Sequence, residues 1–212
     1  MEVNHLLYKV DNLEKSVEYY RGQGFSVEYG RGKNPYNALI YLPEGPYIEL
    51  INNMNMSKTL EFLLRLLGKK KFVDGMRKQE KSKEGFIRLC FGCEDYEISN
   101  IYKIFRKYKI KFMKIKVKRL DTKGRKLYCD SIFPEDPTLP LVKTLYANEK
   151  ELHKVEHRNN AKKVIEIEYG VSEKDQDLIE EVNSDSILKI CKGHGIKRVI
   201  VEMEEHKKFE FK

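Results

Sequence analysis

Residues 4–30, NHLLYKVDNLEKSVEYYRGQGFSVEYG, decide how this chain is read. Leu6, Tyr8 and Val10 alternate with His5, Leu7 and Lys9, which is the period of a strand. Asp11 is placed to cap a helix in which Leu13, Val17 and Tyr20 recur at helical spacing. Gly22 and Gly24 end that helix, where a left-handed backbone suits glycine. Phe25 to Tyr29 returns to a strand. Residues 37–51, NALIYLPEGPYIELI, add strands at Asn37 to Leu42 and Tyr47 to Ile51 around the turn Pro43-Glu44-Gly45-Pro46. The unit is strand, helix and three strands, with a His on its first strand and a Glu on its last.

The same plan recurs. Phe86 to Phe91 reads as a strand, and Ile98, Ile101, Tyr102 and Phe105 mark a helix. Strands follow near Ile110 to Val117, Lys126 to Ile132 and Leu141 to Leu145. A shorter copy starts at Val164 to Tyr169 and continues through a helix at Glu173 to Val182. It closes with strands at Ile187 to Cys191, Arg198 to Met203 and Lys208 to Phe211. The expected organisation is module one at 1–53, a helical linker at 54–84, module two at 85–147, and a connection with module three at 148–212. Three copies of one plan argue more strongly than any single copy. In the linker, Leu60, Leu63, Leu64 and Leu67 form an apolar stripe that Phe62 and Leu66 widen. It reads as a connecting helix packed on the core, with a partner-docking helix as the alternative. Pro134 to Pro140 reads as an irregular loop, and His153 to Asn160 as a polar connection.

With 212 residues, the chain is long enough to bury a full core as one large or two small domains. Its 13 Tyr and 10 Phe support a folded protein rather than a disordered one. No apolar run approaches a membrane span and no secretory signal opens the sequence, so a cytoplasmic protein is expected. The net charge of +8 comes from 41 basic against 33 acidic residues, so positive charge is diluted nearly everywhere. Basic density peaks at Gly68 to Lys71 and from Lys107 to Arg119, and reads as solvated surface. Stacking aromatics or a recognition motif for nucleic acid are not evident. Cys90-Phe91-Gly92-Cys93 falls inside an apolar strand and has no second pair, so Cys90, Cys93, Cys129 and Cys191 read as structural thiols. No phosphate-binding loop, dinucleotide fingerprint, zincin motif or hydrolase elbow is present.

The stretches at 4–30 and 37–51, with LPLVKTL at 139–145 and HRNNAKKVIEIE at 157–168, resemble the vicinal oxygen chelate superfamily, and within it the glyoxalase-like branch. The resemblance implies an α+β fold of repeated βαβββ modules, whose curved mixed sheets face each other around a cavity. Strands one and four of a module would be neighbours, setting His5 near Glu49. Leu6, Tyr8, Val10, Ile48 and Leu50 would then point to the helix, leaving His5, Leu7, Lys9, Tyr47, Glu49 and Ile51 toward the cavity.

Metal enzymes of that branch imply imidazole and carboxylate ligands around a divalent ion (Mn, Ni, Fe or Zn) with lyase, isomerase or dioxygenase chemistry. His5 and Glu49 match one module's share. Module two offers Arg88 and Cys90 on its first strand and Lys143 on its last, which suits a metal poorly. Module three is more acidic, with Glu166, Glu168 and Glu210, so a facing of modules one and three would complete a site from His5, Glu49 and Glu210. The alternative reading is a metal-free protein that binds or sequesters a small molecule, holding a polar aromatic or anionic ligand with Tyr41, Tyr47, Arg88 and Lys143. A structural or partner-binding role for the Leu60 to Leu67 helix is a third. His157 is placed to brace the module junction; His153, His194 and His206 lie in charged, exposed segments. An odd number of modules suggests a homodimer.

Overall fold

Strand β1, Glu2–Lys9, lies at the centre of the molecule and sends side chains to opposite faces of its sheet. Helix α1 follows at Leu13–Gly22. Its cap is Asn12 rather than Asp11: the Asn12 side chain accepts from the Lys15 amide at 3.0 Å, while Asp11 takes the Lys9 ammonium. Gly24 has φ +90, and a Cβ there would sit 2.8 Å from that of Asn159, so both backbone and packing require glycine. Strand β2 is only Glu28–Tyr29, because Phe25 and Val27 leave the ladder and enter the core. Strands β3, Asn37–Ile40, and β4, Tyr47–Ile51, complete the first unit.

Two helices bridge to the second unit, α2 at Lys58–Leu66 and α3 at Lys70–Glu80. The Leu60 to Leu67 stripe falls on α2 and its C-cap, and the expected packing on the core does not hold, because none of the residues of α2 is buried. Helix α3 packs on the core instead, burying Phe72 and Val73. Strand β5, Gly85–Cys93, then leads through a capping box at Glu94 and Glu97 into α4, Ile98–Lys107. Strands β6, Phe112–Leu120, β7, Lys126–Pro134, and β8, Leu141–Thr144, follow. A short helix α5, Glu149–Leu152, precedes β9, Lys163–Val171, α6, Gln176–Val182, β10, Leu188–Lys192, β11, Gly195–Glu202, and β12, Lys208–Phe211. The computed structural model describes residues 1–147, 149–204 and 207–211, so His206 lies outside the described residues.

Eight strands form one mixed sheet in the order β2-β3-β4-β1-β5-β8-β7-β6. β1 is parallel to β4 and β5 to β8, and the two halves join where β1 runs antiparallel to β5. The sheet curls into a half-barrel. At one rim its ends are tied together: Arg119 donates to the Gly30 carbonyl at 3.3 Å, and Thr122 to Glu28 at 2.9 Å. The fold is therefore α+β, built around a curved mixed sheet.

The last four strands form a separate sheet ordered β10-β9-β11-β12. Here the opening strand pairs in parallel with β10 rather than with the final strand. Of the two pairings left open, modules one and two share the curved sheet, so the condition for a site from His5, Glu49 and Glu210 is not met. Glu210 stands on the edge strand opposite Ile200, exposed and in the other sheet from His5 and Glu49. Glu166 and Glu168 pair with Arg198 instead. The second sheet covers the outer face of the half-barrel: Leu6, Tyr8, Ile48, Leu89 and Phe91 share one apolar core with Ile167, Ile179, Val199 and Phe211. Each such buried side chain contributes on the order of 1.5–3 kcal/mol, which anchors the outer face and leaves the inner one to form a cavity.

Candidate functional site

The concave face encloses a cavity of about 770 Å³. β1 contributes His5 and Leu7, and β4 contributes Tyr47, Glu49 and Ile51. The register sets His5 opposite Tyr47 and Leu7 opposite Glu49, so His5 and Glu49 meet diagonally, Nε2 to Oε2 at 3.7 Å. Lys9, expected on the same face, turns to Asp11 instead. The His5 ring stacks on Tyr47 with centroids 4.8 Å apart, and its Nδ1 meets the Asn4 side-chain oxygen at 2.9 Å. Burial, then the charges of Lys143 and Arg119, hold His5 well below the usual imidazole range, so the ring is neutral. Glu49 accepts from the Asn37 amide at 2.7 Å.

The opposite wall carries cations. Lys143 on β8 is buried, 3.2 Å from Glu149 and 3.6 Å from the centre of the Tyr146 ring. Glu149 also accepts from the Asn4 side chain at 2.8 Å and from the Tyr146 amide at 2.8 Å. A continuous polar chain thus runs from Glu49 through His5, Asn4 and Glu149 to Lys143. Arg119 on β6 behaves differently. It donates to the Tyr41 hydroxyl at 3.1 Å and to Gly30, but makes no ion pair among the described residues. Glu149 neutralises Lys143; Arg119 keeps an unpaired positive charge at the cavity wall.

Other expected site residues are held elsewhere. Arg88 is buried, donating to the carbonyls of Leu139 at 2.8 Å, Pro134 at 3.0 Å and Asp136 at 3.2 Å, and burial brings its pKa down to about 10. It pins the 134–140 loop rather than lining the cavity. Tyr41 reaches the cavity through Arg119. Cys90 lines the cavity while Cys93 joins the core behind the sheet, so the CxxC thiols face opposite ways and cannot act together. Burial pushes the Cys90 thiol up, away from thiolate chemistry. His157 is buried, accepting from the Ser26 amide at 2.9 Å and donating to the Tyr41 carbonyl at 2.8 Å. His153, expected to be exposed, is half-buried and donates to the Leu42 carbonyl at 2.7 Å; His194 is exposed.

Arg119, Asn37, Tyr146, Asn4 and Glu149 were not singled out from the sequence. For Arg119 a signal existed: in FMKIKVKRL, Met113, Ile115, Val117 and Arg119 share one face, while Lys114, Lys116 and Lys118 share the other. Parity therefore separates the inward Arg119 from its exposed lysine neighbours.

This curled sheet, with paired parallel strands flanking an antiparallel junction, agrees with the sequence comparison: residues 3–181 match the model of the glyoxalase-like domain. The chain belongs to the glyoxalase-like family. Its superfamily is that of the vicinal oxygen chelate proteins. The Mn(II)-bound glyoxalase from Novosphingobium aromaticivorans shares the fold at 10% identity, with a TM-score of 0.56 over 96% of this chain and 65% of that one. A methylmalonyl-CoA epimerase from Streptomyces coelicolor, in complex with 2-nitronate-propionyl-CoA, is 16% identical over 68% of this chain and 95% of its own, with a TM-score of 0.42. A glyoxalase/bleomycin resistance protein/dioxygenase from Alicyclobacillus acidocaldarius is 15% identical over 70% and 94%, with a TM-score of 0.23. No curated protein matches the sequence.

For a glyoxalase-like protein the donor set can be tested against a divalent metal. His5 and Glu49 are close enough to share one ion. Among the described residues, no group of three or more His, Cys, Asp or Glu could hold it. Burial keeps the Cys90 thiol protonated, and Lys143 and Arg119 place positive charge toward His5. A catalytic ion normally takes three protein donors and an open position. The described residues do not fit such a metal.

Proposed function

We propose that this glyoxalase-like protein binds a small organic anion in the concave cavity, with no resident metal. The observation that carries the reading is Arg119: a guanidinium on the cavity wall that bonds to the Tyr41 hydroxyl and the Gly30 carbonyl and has no carboxylate ion-pair partner among the described residues. A carboxylate or phosphate would supply the missing counter-charge and accept paired N–H bonds from the planar group. Tyr47 and Tyr146 offer aromatic surface beside it, and the neutral His5 ring offers a further polar contact. The protein would act as a binding or sequestering protein.

The test is calorimetry on chelator-treated protein with small carboxylates and organic phosphates. Binding is expected to survive chelation and to weaken at least tenfold in Arg119→Gln. If purified protein carries near-stoichiometric divalent metal that His5→Ala or Glu49→Ala removes, the metal-free reading is wrong.

A second reading is favoured by the His5–Glu49 spacing. A carboxylate and a neutral imidazole on one wall of an anion site suit proton transfer at a carbon beside the bound anionic group. Under that reading Glu49 takes the proton and Arg119 stabilises the charge that develops. Deuterium uptake from heavy water into a bound carboxylic acid, lost in Glu49→Gln, would establish it.

A further inference from the structure

We infer that the anion this cavity accepts is amphipathic, with its charged group at Arg119 and an apolar tail running beneath α2 and α3. This rests on the anion-binding reading above and extends it to a substrate class.

The cavity is polar at one end and apolar at the other. Around the closed rim Arg119 meets Tyr41, Tyr41 meets Tyr47 and Tyr47 stacks on His5, while the Tyr146 ring lies beside both Arg119 and Lys143. Arg119 lies 5.8 Å and Lys143 3.6 Å from the centre of the Tyr146 ring, and Tyr41 and Tyr47 have centroids 4.9 Å apart. Along β6 the wall then turns apolar, through Val117 and Ile115 to Met113, which pairs with Phe133. Six residue steps along the strand lead from Arg119 to Met113, a path of about 20 Å at the usual rise. Phe133 in turn meets Phe72 of α3, ring centroids 6.1 Å apart.

Helix α2 covers this apolar end, and its state is the second, independent observation. Leu60, Leu64 and the C-cap Leu67 recur on one face and line the cavity, yet no residue of α2 is buried, with Leu60 47% exposed and Leu67 beyond the helix 74% exposed. A leucine stripe aimed at a cavity and left largely exposed has room for a further apolar partner. An alkyl or aryl tail lying along Met113 and Phe133 would supply it. Methionines at 54, 56 and 76 line the same end, and such unbranched side chains adapt to tails of differing shape.

The experiment uses the full chain and a series of straight-chain carboxylates, acetate, butanoate, octanoate and dodecanoate, with octan-1-ol as the uncharged control. Affinity is expected to rise by about fourfold per added methylene until the tail fills the cavity. Octanoate should bind about tenfold or more tighter than octan-1-ol. Leu64→Gln should weaken octanoate about tenfold and so flatten the chain-length series, with the protein still folded by its melting transition. Arg119-dependent binding of short carboxylates with no gain from chain length would overturn this inference and leave the anion reading standing. Absence of binding by every carboxylate would overturn this inference, and absence of binding by organic phosphates as well would overturn the anion reading.

Discussion

Nε2 of His5 lies 3.7 Å from Oε2 of Glu49, near enough for mutual influence and too far for a hydrogen bond. A carboxylate at that distance would normally favour imidazolium. The reverse holds here, because burial comes first among the influences on His5 and the charges of Lys143 and Arg119 reinforce it. The prediction is a His5 ring still neutral at pH 6. Nitrogen-15 shifts of the imidazole would report it, and a titration midpoint at or above 6.5 would refute it. Arg119→Gln should move the midpoint upward by removing one of the cations.

Burial also lowers the pKa of His157, against a smaller raising effect of its bond to the Tyr41 carbonyl. Both histidines are therefore held below their unfolded value of 6.5. The unfolded chain binds more protons than the folded one between the lowered values and 6.5, so stability is fully present above 6.5 and is lost as pH falls below it. Melting temperature should drop from pH 7 to pH 5, more shallowly in His157→Gln. That variant is also expected to be less stable at pH 7 by about 1–3 kcal/mol, since it unpairs the Ser26 amide or the Tyr41 carbonyl.

Lys143 and Glu149 form a pair whose side chains are 4% and 12% exposed. Removing one member leaves a buried charge without compensation, so Glu149→Gln should cost about 3–5 kcal/mol in urea unfolding. Lys143→Met combined with Glu149→Gln should cost clearly less than the two single changes added together. Strict additivity would mean that the pair is not coupled.

The strands and their faces were legible because alternation is a local property. His5, Leu7, Tyr47, Glu49 and Ile51 separate from Leu6, Tyr8, Ile48 and Leu50 in the linear pattern just as they do across the sheet. Pairing order was less legible. The third run of elements has the composition of the first, but β9 pairs with β10, and nothing in the spacing reveals that Glu210 stands on an outer edge. Arg88 and Arg119 illustrate the limit for the site. Both are inward-facing arginines on strands, and only the carbonyls of the 134–140 loop, distant in sequence, distinguish the structural one from the one facing the cavity.

That distinction is itself testable. Arg88→Ala would leave the carbonyls of Pro134, Asp136 and Leu139 without their donor. A loss of about 2–4 kcal/mol is expected, with Arg88→Lys recovering only part because an ammonium cannot span the same fork. Anion affinity of the folded fraction should be unchanged, whereas Arg119→Gln should reduce affinity with a stability change of about 1 kcal/mol or less. Exchange of the two phenotypes would mean that the assignments are reversed.

Helix α2 should be the least protected helix of the linker. Its backbone bonds are intact, but none of its side chains is buried, whereas α3 buries Phe72 and Val73 and is fixed by Gln79, which donates to the Ile87 and Pro137 carbonyls at 3.0 and 3.1 Å. Local opening free energy follows buried apolar contact, so amides of α2 should exchange at least tenfold faster than those of α3. Octanoate should slow α2 selectively, because a tail beneath Leu60 and Leu64 supplies the contacts that the helix lacks. Equal protection of the two helices without ligand would show that α2 already has a partner, such as a second copy of the chain, and sedimentation at two protein concentrations would then reveal the dimer.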